Sequence, residues 1–224
     1  LPMSVLRMLL VFTFAAFWSC QSAALEQNVT AVSRDGNTLV LTTDKGQVRI
    51  RFYTTEAVEV YYQPTGVNQL DSFAINADAG NLPLKLAMVN TGHAVRFSSA
   101  DLRVQIDKSP LKIRFIKDGK TLLSENAGLQ IEQGQRGFSF DLQPQEKLMG
   151  TGQRVLGMNR RGFKLPLYNK ASYGYTTKAE QMYYSIPAVL SSNKYLVLFD
   201  NVAKGEVDLG STDKNVLPFS VVDG

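Results

Sequence analysis

The stretch "VTAVSRDGNTLVLTTDKGQVRIRFYTTEAVEVYYQP", from Val29 to Pro64, decides the fold class. In it, Val48, Ile50 and Phe52 alternate with two arginines and a tyrosine. A period of two is typical of a strand with one buried face. Two turn signals, each with an aspartate and a glycine, separate the first three runs, because glycine reaches the positive φ of tight turns. The predicted strands are Val29–Ser33, Thr38–Thr42, Gln47–Tyr53 and Ala57–Tyr62.

The same pattern continues along most of the chain. Short runs rich in β-branched residues recur, and no segment combines a helical period with caps. The segment Gln69–Val89 is predicted to be an irregular excursion. Many short strands at close spacing predict an all-β sandwich. The further predicted strands are Ala94–Ser98, Leu102–Asp107, Leu111–Ile116, Thr121–Glu125, Leu129–Glu132, Gly137–Leu142, Ser185–Ser191, Tyr195–Asp200, Glu206–Leu209 and Leu217–Val222.

Residues 1–24 have the composition of a secretory signal peptide. Arg7 is their only charge, an apolar run follows from Met8 to Trp18, and small residues come next. The apolar run is shorter than the roughly 20 residues that span a bilayer. This order of regions predicts cleavage after Ala24, a mature start at Leu25 and export to the periplasm or the extracellular space.

Cys20 offers a second mode of export, in which cleavage at the cysteine is followed by lipid attachment. The bulky Phe17 and Trp18 argue against this mode. Without residues 1–24 the chain has no cysteine, and its net charge falls from +4 to +3 because only Arg7 is lost. An exported chain without disulfides depends on a large buried core. The single histidine, His93, and the missing cysteines exclude a Cys/His zinc site.

Several function classes find no support in the sequence. Lysines and arginines are scattered, with Arg160-Arg161 as the only close cluster, so no nucleic-acid partner is expected. The glycines of "MGTGQRVLG" lack a Gly-Lys-Ser/Thr ending and are interpreted as turn residues, so no nucleotide cofactor is expected. His93 is interpreted as a loop residue. Three neighbouring carboxylates are interpreted as turn and strand-edge residues; they are Asp200, Glu206 and Asp208.

The segment "LPLYNKASYGY", Leu165–Tyr175, shows no sustained strand alternation and no helical face. Six of the nine tyrosines lie between Phe163 and Phe199. A tyrosine joins an apolar face to a polar tip, which matches the C–H face and hydroxyl rim of a sugar. Tyr173 and Tyr175 are predicted to line a binding site. Three tyrosines that follow them in the chain are expected to pack on the sandwich; they are Tyr183, Tyr184 and Tyr195.

Five ordered motifs between residues 148 and 210 resemble the N-terminal domain of glycoside hydrolase family 31. The motifs are Gly150–Gln153, Asn159–Gly162, Leu167–Asn169, Tyr184–Pro187 and Leu198–Asn201. Within that family, the segment from Leu165 to Ala188 looks closest to the oligosaccharide 4-α-glucosyltransferase branch. Gln153 replaces the glutamate that is usual in the family. Ala171 falls where many members have a substrate-contacting aspartate.

The resemblance implies a galactose-mutarotase-like β-sandwich over residues 25–224, packed against a catalytic (β/α)8 barrel. That barrel would begin after Gly224 and carry both catalytic aspartates of a retaining α-glucosidase or α-transglucosylase. We therefore expect no catalytic residue, metal site or cofactor in this chain. The expected substrate is an α-glucan or oligosaccharide. In this family a sandwich loop reaches the sugar pocket of the barrel, and the residues expected to bind substrate are Asn169, Lys170, Tyr173 and Tyr175.

The end of the chain agrees with a fragment, because an Asp-Gly turn signal follows the apolar strand Leu217–Val222. Two alternatives remain at this point. A stand-alone carbohydrate-binding sandwich at the cell surface would have the same strand pattern. A sugar mutarotase would need proton-shuttling histidines and a glutamate, and the single histidine argues against it.

Overall fold

The computed structural model describes residues 26–67, 72, 74–76, 79–80, 82–132 and 134–222. The predicted signal peptide, the cleavage after Ala24 and the lipid attachment at Cys20 lie outside the described residues. Within the described part the chain forms sixteen β-strands. The strands are β1 Val29–Asp35, β2 Thr38–Thr43, β3 Gly46–Phe52, β4 Val58–Pro64, β5 Ala87–Asn90, β6 Ala94–Ser98, β7 Arg103–Lys108, β8 Leu111–Lys117, β9 Lys120–Glu132, β10 Gln135–Asp141, β11 Leu148–Gly150, β12 Lys164–Leu167, β13 Ala188–Ser191, β14 Tyr195–Leu198, β15 Gly205–Asp208 and β16 Val216–Val221.

The strands form three antiparallel sheets. The first sheet has the order β1-β2-β3-β4, a nine-stranded sheet has the order β12-β15-β16-β10-β9-β8-β7-β6-β5, and a small sheet has the order β11-β13-β14. The long strand β9 joins two halves of the large sheet, since its first half pairs with β8 and its second half with β10. Among the described residues, no helix has the length and hydropathy of a membrane span.

Two clusters of buried side chains fill the space between the sheets. The first cluster joins strands of the first sheet to β6, β7 and β8, with Phe52 and Phe97 in edge contact at 5.3 Å between ring centroids. The second cluster joins β10, β12, β15 and β16 to the small sheet, with Phe199 stacked on Phe219 at 4.0 Å. The partly buried Phe115 packs against both clusters, as does Phe138. The prediction of an all-β sandwich is therefore confirmed.

The two predicted strands Thr121–Glu125 and Leu129–Glu132 form the single strand β9. The residues between the two predicted strands are Asn126, Ala127 and Gly128. Contacts across the strand hold it extended: Asn126 Nδ2 donates to Asp141 Oδ1 at 2.8 Å, and the backbone N–H of Ala127 donates to Ser139 Oγ at 3.1 Å. The predicted division of this segment was wrong.

Three short strands were missed by the prediction; they are β5, β11 and β12. The segment Leu165–Tyr175 was expected to be irregular, but its first three residues belong to β12, where Leu165 and Leu167 are buried. Pro166 lies between them, and because proline is unusual inside a strand, the alternation of buried and exposed residues in β12 was not interpreted as a strand. Pro166 is accommodated because β12 is an edge strand, where a missing N–H breaks no ladder bond. The predicted strand Ser185–Ser191 begins later, at Ala188.

Candidate functional site

The chain leaves β12 at Leu167 and returns towards β13 at Ser185, and we call the residues between them (168–184) the tyrosine loop. Asn169 closes its base, because its Oδ1 accepts hydrogen bonds from the backbone N–H of Ser185 at 2.6 Å and from Ser185 Oγ at 3.2 Å. Gln181 Nε2 donates to the carbonyl oxygen of Tyr168 at 2.8 Å. These bonds fix the two ends of the loop to each other.

The segment Gly150–Val155 ties the same loop to the sandwich. Arg154 Nη2 donates to the carbonyl oxygen of Pro166 at 2.5 Å, just before the loop begins. The backbone N–H of Val155 donates to Ala179 O at 3.0 Å, and that of Gln153 donates to Tyr184 O at 3.0 Å. Both ends of the loop are thus held by one short segment.

Gly152 lets this segment approach the returning chain. Its φ is +88°, and a Cβ at this position would lie 2.6 Å from Ser185 Cα. No side chain fits there unless the backbone shifts. The predicted turn role of the glycines is confirmed, because Gly150 also has a positive φ, of 103°.

Tyr183 lies at the centre of an aromatic cluster on the loop. Its ring meets that of Tyr173 edge to face at 6.3 Å and that of Tyr175 at 6.2 Å between centroids. All three side chains are exposed, and Tyr173 has 87% of its surface accessible. In contrast, the neighbouring Met182 is buried. The rings therefore present aromatic faces and hydroxyl groups to solvent.

The prediction that Tyr183 and Tyr184 pack on the sandwich was wrong, since both are exposed. Tyr195 does pack there, and its hydroxyl donates to Glu146 Oε1 at 2.5 Å. Burial, followed by this carboxylate, raises the pKa of Tyr195 above its ordinary value. Sequence spacing cannot distinguish these cases, because residues 182 to 184 lie in an irregular segment without a strand period.

Lys170 is exposed and has no hydrogen bond or ion pair within the part of the chain that the structure describes. The ammonium group of a second lysine, Lys204, lies 5.4 Å from the ring centroid of Tyr168, at the start of the loop. The structure thus brings Tyr173 and Tyr175 together through Tyr183. Asn169 stabilises the base of the loop through its hydrogen bonds from Ser185.

Two arginines, buried Arg154 and partly buried Arg160, donate hydrogen bonds to the backbone that holds the loop. Burial lowers the pKa of the Arg154 guanidinium, with a further contribution from Arg160, and burial also lowers the pKa of Arg160. Nε and Nη1 of Arg154 have no hydrogen-bond partner within the described part. Arg160 Nη1 donates to Thr151 Oγ1 at 2.9 Å and to Gly152 O at 2.8 Å. These contacts go to the backbone and to a turn hydroxyl, so both arginines position the loop.

Two of the three carboxylates interpreted as structural, Glu206 and Asp208, have structural contacts, whereas Asp200 is exposed. Asp208 is buried and accepts from the backbone N–H of Ser211 at 2.6 Å, and Glu206 forms an ion pair with Lys164 at 2.7 Å. His93 is an exposed residue directly before β6, as predicted. Within the described ranges, no group of three histidine, cysteine or acidic side chains is placed to hold a metal ion.

The tyrosine loop does not line either of two hollows on the described part of the domain. These hollows, of about 240 and 530 Å³, open on the first sheet. Glu180 is the only carboxylate between residues 168 and 184. The loop can therefore offer aromatic faces, hydroxyl groups and two exposed lysines, Lys170 and Lys178, to a polar ligand, but it has no pair of carboxyl groups for acid–base catalysis.

Together, the fold and the loop define an antiparallel β-sandwich that presents an aromatic loop from one edge. The chain belongs to the glycosyl hydrolase 31 N-terminal galactose mutarotase-like domain family, whose model matches residues 26–208.

Solved structures show the same architecture. One is a family 31 dextranase from Flavobacterium johnsoniae, complexed with isomaltotriose, which is 25% identical to this chain. The match covers 90% of this chain and 26% of the dextranase, with a TM-score of 0.81. The fold is shared with the cycloalternan-forming enzyme from Listeria monocytogenes in complex with a pentasaccharide substrate. That enzyme is 23% identical to this chain, and the match covers 88% of this chain and 19% of the enzyme, with a TM-score of 0.75.

Among proteins of described function, Alpha-glucosidase 2 from Bacillus thermoamyloliquefaciens is 23% identical over 180 residues. This alignment covers 74% of the present chain and 22% of the relative. The chain thus spans about a quarter of the length of the relatives it matches, and those relatives carry a larger part that has no counterpart in this chain.

Proposed function

We propose that this chain is the N-terminal domain of an exported, retaining α-glucosidase or α-transglucosylase that acts on α-glucosides. In this proposal the tyrosine loop forms one wall of a sugar site that a following (β/α)8 catalytic barrel completes. The main support is the exposed cluster of Tyr173, Tyr175 and Tyr183. This cluster lies on a loop whose two ends are hydrogen-bonded to each other, in a chain that belongs to this family. The dextranase with isomaltotriose, the cycloalternan-forming enzyme and Alpha-glucosidase 2 support a glucoside substrate.

The loop chemistry suits a pyranose. The ring face of Tyr173 or Tyr175 can pack on the C–H face of a sugar, while the phenol hydroxyl bonds to its rim. Lys170 supplies an ammonium donor for a sugar hydroxyl. The Oδ1 of Asn169 is occupied by Ser185, so its contribution to substrate is a donor bond from Nδ2.

A second surface is needed because sugar sites bury most of the ligand. Tyr173 is almost fully exposed, so the loop alone covers one face of a bound sugar. Retention of configuration also requires two carboxyl groups about 5–5.5 Å apart. The loop has no such pair, so the proposal assigns both carboxyl groups to the catalytic domain.

The kinetics of the full-length enzyme test this role. We expect Tyr173→Ala and Tyr183→Ala to raise KM for an isomalto-oligosaccharide, because a lost aromatic contact of about 0.5–1.5 kcal/mol corresponds to about 2- to 10-fold. Tyr173→Phe keeps the face and should recover most of the loss. Tyr61→Ala, on the first sheet, is the matched control. Unchanged KM in both alanine variants would refute the sugar-wall role.

The stand-alone carbohydrate-binding alternative makes a different prediction. A gene whose reading frame lacks a barrel and an aspartate nucleophile after residue 224 would overturn the enzyme assignment. In that case the chain alone should bind oligosaccharides, measurable by calorimetry.

Export is part of the proposal and is supported by the leader-like composition of residues 1–24. The family match begins at residue 26, directly after the proposed start at Leu25. N-terminal sequencing of protein recovered from the periplasm or the medium should begin at Leu25. A lipid-modified Cys20 at the N-terminus would replace cleavage after Ala24 by membrane anchoring. Recovery from the cytoplasm with residues 1–24 intact would contradict export.

A further inference from the structure

The small sheet carries an apolar face on its outer side. Leu190 in β13 lies directly opposite Leu196 in β14, and Leu198 lies two residues further along the same face. The exposed fractions are 43%, 62% and 44%, respectively. Met149 pairs with Leu190 from the other side and Ala188 pairs with Leu198, so both belong to this face. We call these five residues the leucine face.

The opposite side of the same strands is already buried. Leu148 and Val189 are almost inaccessible and belong to the second core cluster, and Tyr195 and Val197 pack against it. Strand β14 is therefore apolar on both sides, which is typical of a strand covered by packed layers on both faces. In the described part of the molecule, one of these layers is missing.

Several other strands of the sandwich have a different outward face. Their solvent side carries charged and amide groups, as expected for a sheet with one wet face. Examples are Gln47, Arg49 and Arg51 in β3, Arg103, Gln105 and Asp107 in β7, and Lys112 and Arg114 in β8. The leucine face carries no charge and so differs from the outward faces of β3, β7 and β8, although the short edge strand β5 also exposes Met88 and Val89.

The edge strand of the small sheet also indicates that a further layer covers this sheet. β14 is the last strand in the order β11-β13-β14 of the described part. An apolar edge strand that stays open is a template for aggregation, and proteins cover such edges or place charges and prolines on them. The sequence "YLVL" of β14 has neither a charge nor a proline.

The tyrosine loop leads to the leucine face at one end and lies near the end of the described chain at the other. Ala188 follows Tyr184 by four residues, and its carbonyl accepts from the backbone N–H of Thr151 at 2.8 Å. At the other end of the loop, Lys204 lies over Tyr168, and the carbonyl of Lys204 accepts from the backbone N–H of Val222 at 2.9 Å. A chain that continues past Val222 leaves the sandwich beside this loop.

We propose that the leucine face is the surface on which the catalytic domain of the full-length protein packs. The inference rests on the proposed function and makes it more specific. The occupant is the part of the chain that corresponds to the roughly three quarters of each relative's length that this chain does not match. Packing at this face positions the barrel next to the tyrosine loop, so that the loop reaches its sugar site.

Site-resolved cysteine labelling of the full-length protein tests the interface. Leu196→Cys and Leu190→Cys are compared with Val89→Cys, an exposed strand residue of β5 with 48% of its surface accessible. Maleimide incorporation is measured at each substituted peptide by mass spectrometry. In the described domain Leu196 is more exposed than Val89. We expect about tenfold or greater protection of both leucine-face cysteines, independent of protein concentration.

Labelling of Leu196→Cys at the rate of Val89→Cys would overturn the inference. Protection that disappears on dilution would also overturn it, because a second copy would then cover the face. The kinetics of Tyr173→Ala separate this inference from the proposed function. Protected cysteines with an unchanged KM in Tyr173→Ala would support the interface and refute the sugar-wall role. Unprotected cysteines with a raised KM in Tyr173→Ala would refute the interface and support the sugar-wall role.

Discussion

Glu125 is a buried carboxyl group between two sheets. The Tyr62 hydroxyl donates to its Oε1 at 2.8 Å, and the backbone N–H of Ile113 donates to its Oε2 at 2.8 Å. Both bonds favour the charged form, but desolvation outweighs them and raises the pKa of Glu125 to about 7. The group is therefore protonated in the folded protein at a pH where it would be ionised in the unfolded chain.

This pKa makes stability pH-dependent. Between an unfolded pKa of 4.5 and the folded value of about 7, the folded state holds a proton that the unfolded state has lost. The contribution is complete below pH 4.5 and is lost as the pH rises towards 7, by about 3 kcal/mol. In Glu125→Gln, the amide can donate to Tyr62 and accept from Ile113. We expect its free energy of unfolding, relative to the original chain, to rise between about pH 5 and about pH 8.

Urea unfolding at a series of pH values measures this difference. Glu206→Gln is the control, because it makes the same substitution at a carboxyl group in an exposed ion pair. Parallel pH curves for Glu125→Gln and the original chain would contradict the assignment of a raised pKa to Glu125.

At the scale of single elements, strands with a strict period were predictable and the others were not. The alternation of Val48, Ile50 and Phe52 indicated β3, because one face of that strand is buried and the other is wet. The alternation in β12 was interrupted by Pro166, which only an edge position tolerates, and edge position is a property of the whole sheet.

The candidate site shows the same limit. The tyrosine-rich composition of the loop was readable from the sequence. Tyr183 was assigned to the core, although it joins Tyr173 and Tyr175 in one cluster. Arg154, which holds the loop by its Nη2 bond to Pro166, was not predicted to have a role. Both depend on contacts between segments separated by more than ten residues or on an irregular backbone path, for which local patterns contain no signal.

The approach of Gly152 to the returning chain gives a prediction for the loop as an element. Gly152→Ala places a Cβ 2.6 Å from Ser185 Cα at a positive φ, whereas Gly174→Ala has a similar φ of +72° but no atom within 4 Å. Gly174→Ala should cost about 1–2 kcal/mol for the left-handed conformation alone. Gly152→Ala should cost more, because the backbone must also move.

Thermal unfolding compares the two alanine variants, and hydrogen exchange of residues 166–185 locates the change. We expect Gly152→Ala to lower the melting temperature more and to lose protection at the base of the loop. Equal losses in both variants would show that the close approach to Ser185 does not constrain the loop.

For the whole molecule, two core clusters share one large sheet. Strand patterns predicted which residues are buried in the regular strands, but they could not show that the buried residues divide into two groups on either side of β9. The partly buried Phe138 contacts both groups, with its ring 5.4 Å from that of Tyr62, whereas the partly buried Phe163 contacts only the second group. The first group packs under the first sheet, and the second packs under the small sheet that carries the leucine face and next to β12, where the tyrosine loop begins.

This pair of phenylalanines tests whether the two clusters are coupled. Phe138→Ala and Phe163→Ala should each cost about 2–3 kcal/mol, below the 3–5 kcal/mol of fully buried rings, because both are partly exposed. Native-state hydrogen exchange should distinguish them. Phe138→Ala should reduce the protection of amides in both β3 and β16, since its cavity borders both clusters, while Phe163→Ala should affect β16 and leave β3 unchanged. If Phe138→Ala reduces protection in only one of these strands, the clusters are stabilised independently, and changes in the first sheet would not reach the loop.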